Sequence, residues 1–285
     1  MHPAFRLEQP RETTSAVVVA SPHSGRYYAP SFLATSVLDE RVIRSSEDAF
    51  MDRLVMAAPS LGAPLLAAEW PRAYLDLNRG ADELDPSVIE GVARGAQTPR
   101  INSGLGVVPR VVANGRAIYR GKLTRAEADA RIEQIWRPYH AELARLMDAA
   151  KADFGQAVLL DFHSMPHEAL DVVARPGAPR PQIVLGDRFG ASADSEVVDV
   201  LEQGFLDAGL IVSRNAPFAG AYVTHRYGRP SKGHHAIQVE IDRRLYMNER
   251  MIRPNANFDA MKQIVTQVLS RVIGALPGRV PLAAE

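Results

Sequence analysis

Residues 16–20 (AVVVA) and 157–161 (AVLLD) are short, almost wholly apolar runs rich in aliphatic side chains, and long stretches of helical period separate them. A strand that is apolar on both sides must be covered on both sides, as happens to central strands of a layered α/β sheet. Residues 64–68, 73–77, 182–185, 210–212 and 236–241 read as further strands. Helical spacing appears over 48–58, where Phe50, Met51, Leu54 and Val55 share one stripe, and again over 192–206 and 258–276. Thr124 and Glu127 form a candidate capping box that opens a long amphipathic pattern towards Ala150. Pro138 falls inside that pattern and predicts a kink or a break. The alternation predicts an α/β fold with a mixed, largely parallel central sheet and helices on both faces.

The 285 residues are expected to form one domain, 1–285. Residues 80–118 are rich in Gly, Pro, Asn and Arg with little period, and are expected to be an active-site loop region. Residues 174–181 (ARPGAPRP) read as a shorter surface loop.

Composition narrows the chemistry. The chain has no cysteine, so thiolate metal sites are excluded and any metal must sit on His, Asp or Glu. Lys and Arg number 33, as do Asp and Glu, so nothing in the bulk charge points to nucleic acid. No apolar run reaches the roughly 18 residues a membrane span needs. The first residues lack the basic start and apolar stretch of a secretory signal, and a cytoplasmic location is expected.

Ligands in open α/β sheets bind beyond the carboxyl ends of strands. The first apolar run leads into Pro22-His23-Ser24-Gly25 and the second into Asp161-Phe162-His163-Ser164. Two strands thus deliver a histidine each to one sheet edge, and two imidazoles with one carboxylate are a common catalytic zinc set. The acid is Glu47 or Asp48, in Ser45-Ser46-Glu47-Asp48; in a purely structural role either residue would serve the start of the following helix. His234 and His235 are alternative ligands of lower rank, and Asp161 is placed to hold a ligand ring. Pro71 to Arg79 contains Arg72, able to reach an oxyanion, and Asn78-Arg79, able to clamp a carboxylate. Alternation puts Gln238, Glu240 and Asp242 on one strand face, where a buried glutamate is either ion-paired or a general base. The loop from Asn215 to Pro230, carrying Arg226, Tyr227 and Arg229, is rich in glycine and aromatic residues and able to cover a substrate.

These clusters, in this order, resemble the N-formylglutamate amidohydrolase family. The matching segments are Pro22 to Gly25, Glu47-Asp48 to Leu54, Asp76 to Arg79, Asp161 to Ser164, Asn215 to Pro230, and Gln238-Val239-Glu240 leading to Met247. The resemblance implies a fold similar to zinc carboxypeptidases and aspartoacylase, one zinc ion, His23 and His163 as ligands, and Glu240 as the catalytic glutamate. It also implies that Arg72 polarises the carbonyl, and that Asp76-x-Asn78-Arg79 holds the substrate α-carboxylate. Arg26 stands where the aspartoacylase relatives carry their acidic ligand, so the acid comes from elsewhere, with Asp48 fitting the family pattern better than Glu47. The implied reaction is hydrolysis of an N-acyl amino acid, with N-formyl-L-glutamate leading, to formate and L-glutamate. Arg226, Arg229 and Arg188 are open candidates for the side-chain carboxylate. A carboxypeptidase-like or cell-wall peptide amidase and a non-catalytic acidic amino-acid binding protein are the alternatives.

Overall fold

The computed structural model describes residues 2–93, 95, 98–173 and 179–276. The chain forms two compact units that interleave in sequence. One is built from the described parts of Met1–Arg6, Pro22–Ala49 and Ala67–Glu142, the other from those of Leu7–Ser21, Phe50–Leu66 and Leu143–Glu285.

Seven strands form the main sheet: β1 (Phe5–Glu8), β2 (Val17–Ser21), β3 (Leu65–Ala68), β4 (Ala157–Met165), β5 (Ile183–Gly186), β6 (Val212–Arg214) and β7 (His234–Asp242). Their order is β1-β3-β2-β4-β7-β5-β6. β2 pairs with β4 in parallel, as do β4 with β7 and β5 with β6, while β5 runs antiparallel to β7. The sheet is therefore mixed and largely parallel, as the apolar runs predict. Every residue of β2 and β4 is buried, which explains why these strands carry almost no alternation. β4 continues to Met165, past the expected end of its apolar run, so His163 stands on the strand. β1 escapes the sequence reading because its four residues are only half-buried and too few to show a period.

In the second unit the Ser195–Asp207 and Phe258–Ala275 helices pack on each other. Val197, Val198, Leu201 and Phe205 on the first helix, and Val265, Val268, Leu269 and Val272 on the second, are all buried. A Cβ added at Gly204 would lie 3.3 Å from both Val268 methyls, so this residue type lets the helices approach closely.

The first unit is mostly irregular but has its own core, with Ala29, Phe32, Ile43, Ala73, Val112 and Ile118 buried together. The Arg131 guanidinium lies 3.9 Å above the Tyr74 ring and donates to the Tyr119 hydroxyl at 2.7 Å. The described residues of 80–118 are largely irregular as expected, apart from the short helix Pro99–Asn102 and a 3-10 turn at Ala113–Gly115, yet Val88, Ile89, Val107 and Val108 are buried, so the described part of this segment is packed. Residues 174–178 of the expected surface loop lie outside the described residues.

Three local expectations differ from the structure. The capping box at Thr124 is present with both of its bonds, but the helix it opens does not break at Pro138. Instead a π-turn over Ile132–Trp136 joins Arg125–Arg131 to Arg137–Phe154. Proline cannot donate to the preceding turn, and the widened turn just before it absorbs the lost bond. The helix expected over 48–58 shrinks to Met51–Leu54, because Phe50 takes a left-handed φ of 67° and stops helical geometry from extending back to Asp48. The strand expected over 73–77 is a buried turn: Leu75 and Leu77 alternate and are buried, but the Asp76 N–H donates to the Val107 carbonyl at 2.8 Å outside any sheet.

Candidate functional site

His23 lies two residues beyond β2, and Gly25 follows it where the chain passes directly against the Trp70 backbone. A Cβ at Gly25 would come within 2.0 Å of the Trp70 carbonyl oxygen, so only glycine permits this close backbone approach. The His23 carbonyl accepts the Asp48 N–H at 2.9 Å, which brings the second acidic candidate alongside the first histidine. The ring is buried, with Nε2 2.7 Å from Asp76 Oδ1 and Nδ1 3.5 Å from Asp48 Oδ2.

Asp76 is held from several directions. Oδ2 accepts Arg72 Nε at 2.9 Å, and Oδ1 accepts the Asn78 N–H at 2.8 Å. Burial pushes its carboxyl up, but Arg72, His23 and Arg79 together outweigh burial and hold it well below the usual carboxylate range. An ionised Asp76 accepts the Nε2 proton of His23, which fixes the tautomer and presents the Nδ1 lone pair towards Asp48. On β4, Asp161 Oδ2 lies 2.9 Å from His163 Nε2, the same kind of contact on the second histidine. The other oxygen of Asp161, Oδ1, is buried and has no hydrogen-bond partner among the described residues.

His23, Asp48 and His163 are all buried, and one ligand atom from each lies within 4.8 Å of the others. They are the only such group among the described residues. Glu47 is one residue away but differently engaged. Its carboxylate accepts Arg44 Nε at 2.9 Å, Arg44 Nη2 at 3.0 Å and the Tyr28 hydroxyl at 3.2 Å. His235 is also elsewhere: its Nδ1 accepts the Asp194 N–H at 3.2 Å. His234 lies 3.8 Å from Asp148 on the same strand's first position.

Asn78 and Arg79 are both buried, and Arg79 is braced by backbone. Its Nε donates to the Leu105 carbonyl at 2.9 Å and its Nη1 to the Asn78 carbonyl at 2.6 Å. Burial draws the guanidinium pKa down, with Asp76 opposing. Two residues outside the sequence reading hold this turn. Trp136 Nε1 donates to the Arg79 carbonyl at 2.8 Å, and His140 Nε2 lies 2.9 Å from the Leu77 carbonyl. Their four-residue spacing on the helix was the one sequence signal that could have found them, but it does not reveal the carbonyls they meet.

On β7, Glu240 is buried and its Oε1 accepts Gln238 Nε2 at 2.8 Å. Asp242 faces His167, 2.8 Å from its Nδ1. Arg226 and Tyr227 end the short Tyr222–Tyr227 helix; Arg226 is exposed, with its guanidinium 5.8 Å from the Tyr227 ring centre. Burial raises the Tyr227 hydroxyl, with the charges of Tyr222, Asp148 and Asp161 acting the same way and Arg226 opposing. It is therefore a neutral phenol. Arg229 Nη1 donates to the carbonyls of His225 at 2.6 Å and Gly228 at 2.7 Å, and Arg188 takes a left-handed φ of 56°.

The family model for N-formylglutamate amidohydrolase matches residues 15–247, spanning both histidines, Asp48 and Glu240. The chain belongs to this family. It is 31% identical over 237 residues to an N-formylglutamate deformylase of Pseudomonas aeruginosa, covering 82% of this chain and 83% of that one. It is 28% identical over 263 residues to an N-formylglutamate deformylase of Pseudomonas putida, covering 91% of each. A crystal structure of N-formylglutamate amidohydrolase from Ralstonia eutropha superposes with a TM-score of 0.90 at 34% identity, over 97% of this chain and 99% of the other. A gene product of Agrobacterium tumefaciens shares the fold alone, with a TM-score of 0.67 at 18% identity over 96% of each chain. No helix among the described residues is long and apolar enough to cross a membrane.

Proposed function

We propose that this family member is a metal-dependent deformylase that hydrolyses N-formyl-L-glutamate to formate and L-glutamate. The observation that carries the reading is the buried group of His23, Asp48 and His163, whose two imidazoles each hand Nε2 to a carboxylate. Two imidazoles and a carboxylate suit zinc, and outer carboxylates of this kind orient ligand rings and raise their basicity. His23 and His163 would bind through Nδ1, and Asp48 through a carboxylate oxygen. When bound, the ion acts as a Lewis acid and makes water a nucleophile at neutral pH.

The remaining roles belong to the chain's own side chains. Glu240 takes a proton from the attacking water on a carboxylate oxygen and returns it to the leaving nitrogen as the formyl C–N bond breaks. Arg72 stabilises the developing oxyanion through its guanidinium donors. Asn78 and Arg79 hold the α-carboxylate, on a turn that Trp136 and His140 keep in place. Arg226 and Tyr227 contact the rest of the substrate, and residues 80–118 serve as the active-site loop region. The likeness to named deformylases over most of the chain supports the substrate.

The test is direct. Protein stripped by a chelator is expected to lose turnover of N-formyl-L-glutamate and to recover it with zinc. Glu240→Gln is expected to keep its metal and lose turnover. Full activity in verified metal-free protein overturns the metal reading; near parental rates in Glu240→Gln overturn the role of Glu240.

A further inference from the structure

We infer that Gln238 is the positioning residue for Glu240, the counterpart on β7 of Asp161 on β4. The inference rests on the hydrolytic reading above, because it assigns a task to the residue that supports the proposed base.

β4 and β7 are neighbouring parallel strands in which Asp161 pairs with Gln238 and His163 pairs with Glu240. Residues two apart on a strand point to one face, and directly paired residues share that face. The four side chains therefore form a two-by-two polar block on one face of the two strands, which Asp242 extends by one further position on β7. All four are buried, and the residues that alternate with them, Leu160, Phe162, Ile237, Val239 and Ile241, are each at 0% exposure on the opposite face. Within each strand the earlier residue bonds the later one. Asp161 Oδ2 meets His163 Nε2 at 2.9 Å, and Gln238 Nε2 meets Glu240 Oε1 at 2.8 Å. The same two-residue step of a pleated strand thus holds a proposed metal ligand on β4 and the proposed base on β7.

The physical need is specific. The last torsion of a glutamate, between tetrahedral and planar carbon, has a broad and nearly two-fold profile, so packing alone orients the carboxylate plane poorly. A donor on Oε1 sets that plane and with it the direction of both carboxylate oxygens. General-base catalysis depends on such placement, since small displacements of a reacting group are costly. The donor must also be neutral. Lysine or arginine at this position would ion-pair with the carboxylate and oppose its protonation during turnover, and glutamate would repel it. Asparagine is one methylene too short to reach. A glutamine two residues before the base meets these demands.

The experiment uses the zinc-loaded full chain with Gln238→Met, which keeps length and volume but removes the donor, and Gln238→Asn, which keeps the amide but withdraws it. Thermal midpoint and bound metal are measured first, then kcat and KM for N-formyl-L-glutamate. Bound metal and KM are expected to stay near the parental values while kcat falls about 10- to 100-fold in both. Adding Gln238→Met to Glu240→Gln is expected to cause no further loss, because Gln238 acts only through Glu240. If Gln238→Met does not fold, Gln238→Asn carries the same expectation. A parental kcat in either folded variant overturns the inference. So does a loss that tracks missing metal, or an equal loss in the Glu240→Gln background. If Glu240→Gln itself runs at the parental rate, the base assignment fails first and separately.

Discussion

Asp76 and His23, 53 positions apart in sequence, meet through a buried 2.7 Å contact between Oδ1 and Nε2. Arg72 holds the other oxygen of the same carboxylate, so one aspartate couples the histidine's tautomer to an arginine with its own proposed role. Removing its charge is expected to show in metal binding before anything else. Asp76→Asn should bind zinc about 10- to 100-fold more weakly in a competitive chelator titration. Unchanged affinity would mean that the contact is only structural.

The two neighbouring acids are expected to separate cleanly. Asp48→Asn should lower metal stoichiometry, read by elemental mass spectrometry, with a small effect on the thermal midpoint. Glu47→Gln should retain its metal but lose about 1–3 kcal/mol of stability, because it leaves Arg44 and the Tyr28 hydroxyl without their buried charged acceptor. The reverse pattern would exchange the roles of these residues.

Much of this arrangement is legible in sequence, for physical reasons. β2 and β4 announce themselves because a doubly covered strand cannot hide its apolar run, and each leads straight into a histidine. β7 keeps its alternation, which puts Gln238 and Glu240 on one face. What stayed hidden are contacts with no local signature. Leu75 and Leu77 alternate like strand residues, yet the backbone partner of Asp76 is Val107, 31 positions on, and no short window holds that information. The Phe50 φ that delays the start of the helix is equally silent, since helical spacing continues across it. Asp76 reads as part of a carboxylate clamp beside Asn78 and Arg79 until the fold shows it bonded to His23.

His235 supplies a pH dependence. Burial lowers its pKa from the ordinary 6.5, His234 and Lys151 act the same way, and Asp194 opposes. The Nδ1 lone pair accepting the Asp194 N–H independently requires a deprotonated atom there. The folded state thus takes up its proton at lower pH than the unfolded chain. Its contribution is fully present above about pH 6.5 and is lost as pH falls below that value. Denaturant midpoints of the parent are expected to drop more steeply between pH 7 and pH 5 than those of His235→Gln. Parallel profiles would remove His235 as the cause.

Gly25 offers the sharpest steric test. Its missing Cβ is replaced in space by the Trp70 carbonyl, and the Tyr27 N–H donates to the Glu69 carbonyl at 2.9 Å, so the two backbones are locked side by side. A methyl group there cannot be accommodated by turning a side chain, because the atom it meets is backbone. Gly25→Ala must push apart the segments that carry His23 and Arg72. Overpacking of this kind costs about 1–3 kcal/mol or more. The expected result is a lowered thermal midpoint together with weakened zinc binding, whereas Gly115→Ala, where a Cβ would meet nothing within 4 Å, should pay only for its left-handed φ of 67° and keep its metal affinity. Equal metal affinity in both variants would show that the close approach at Gly25 does not position His23.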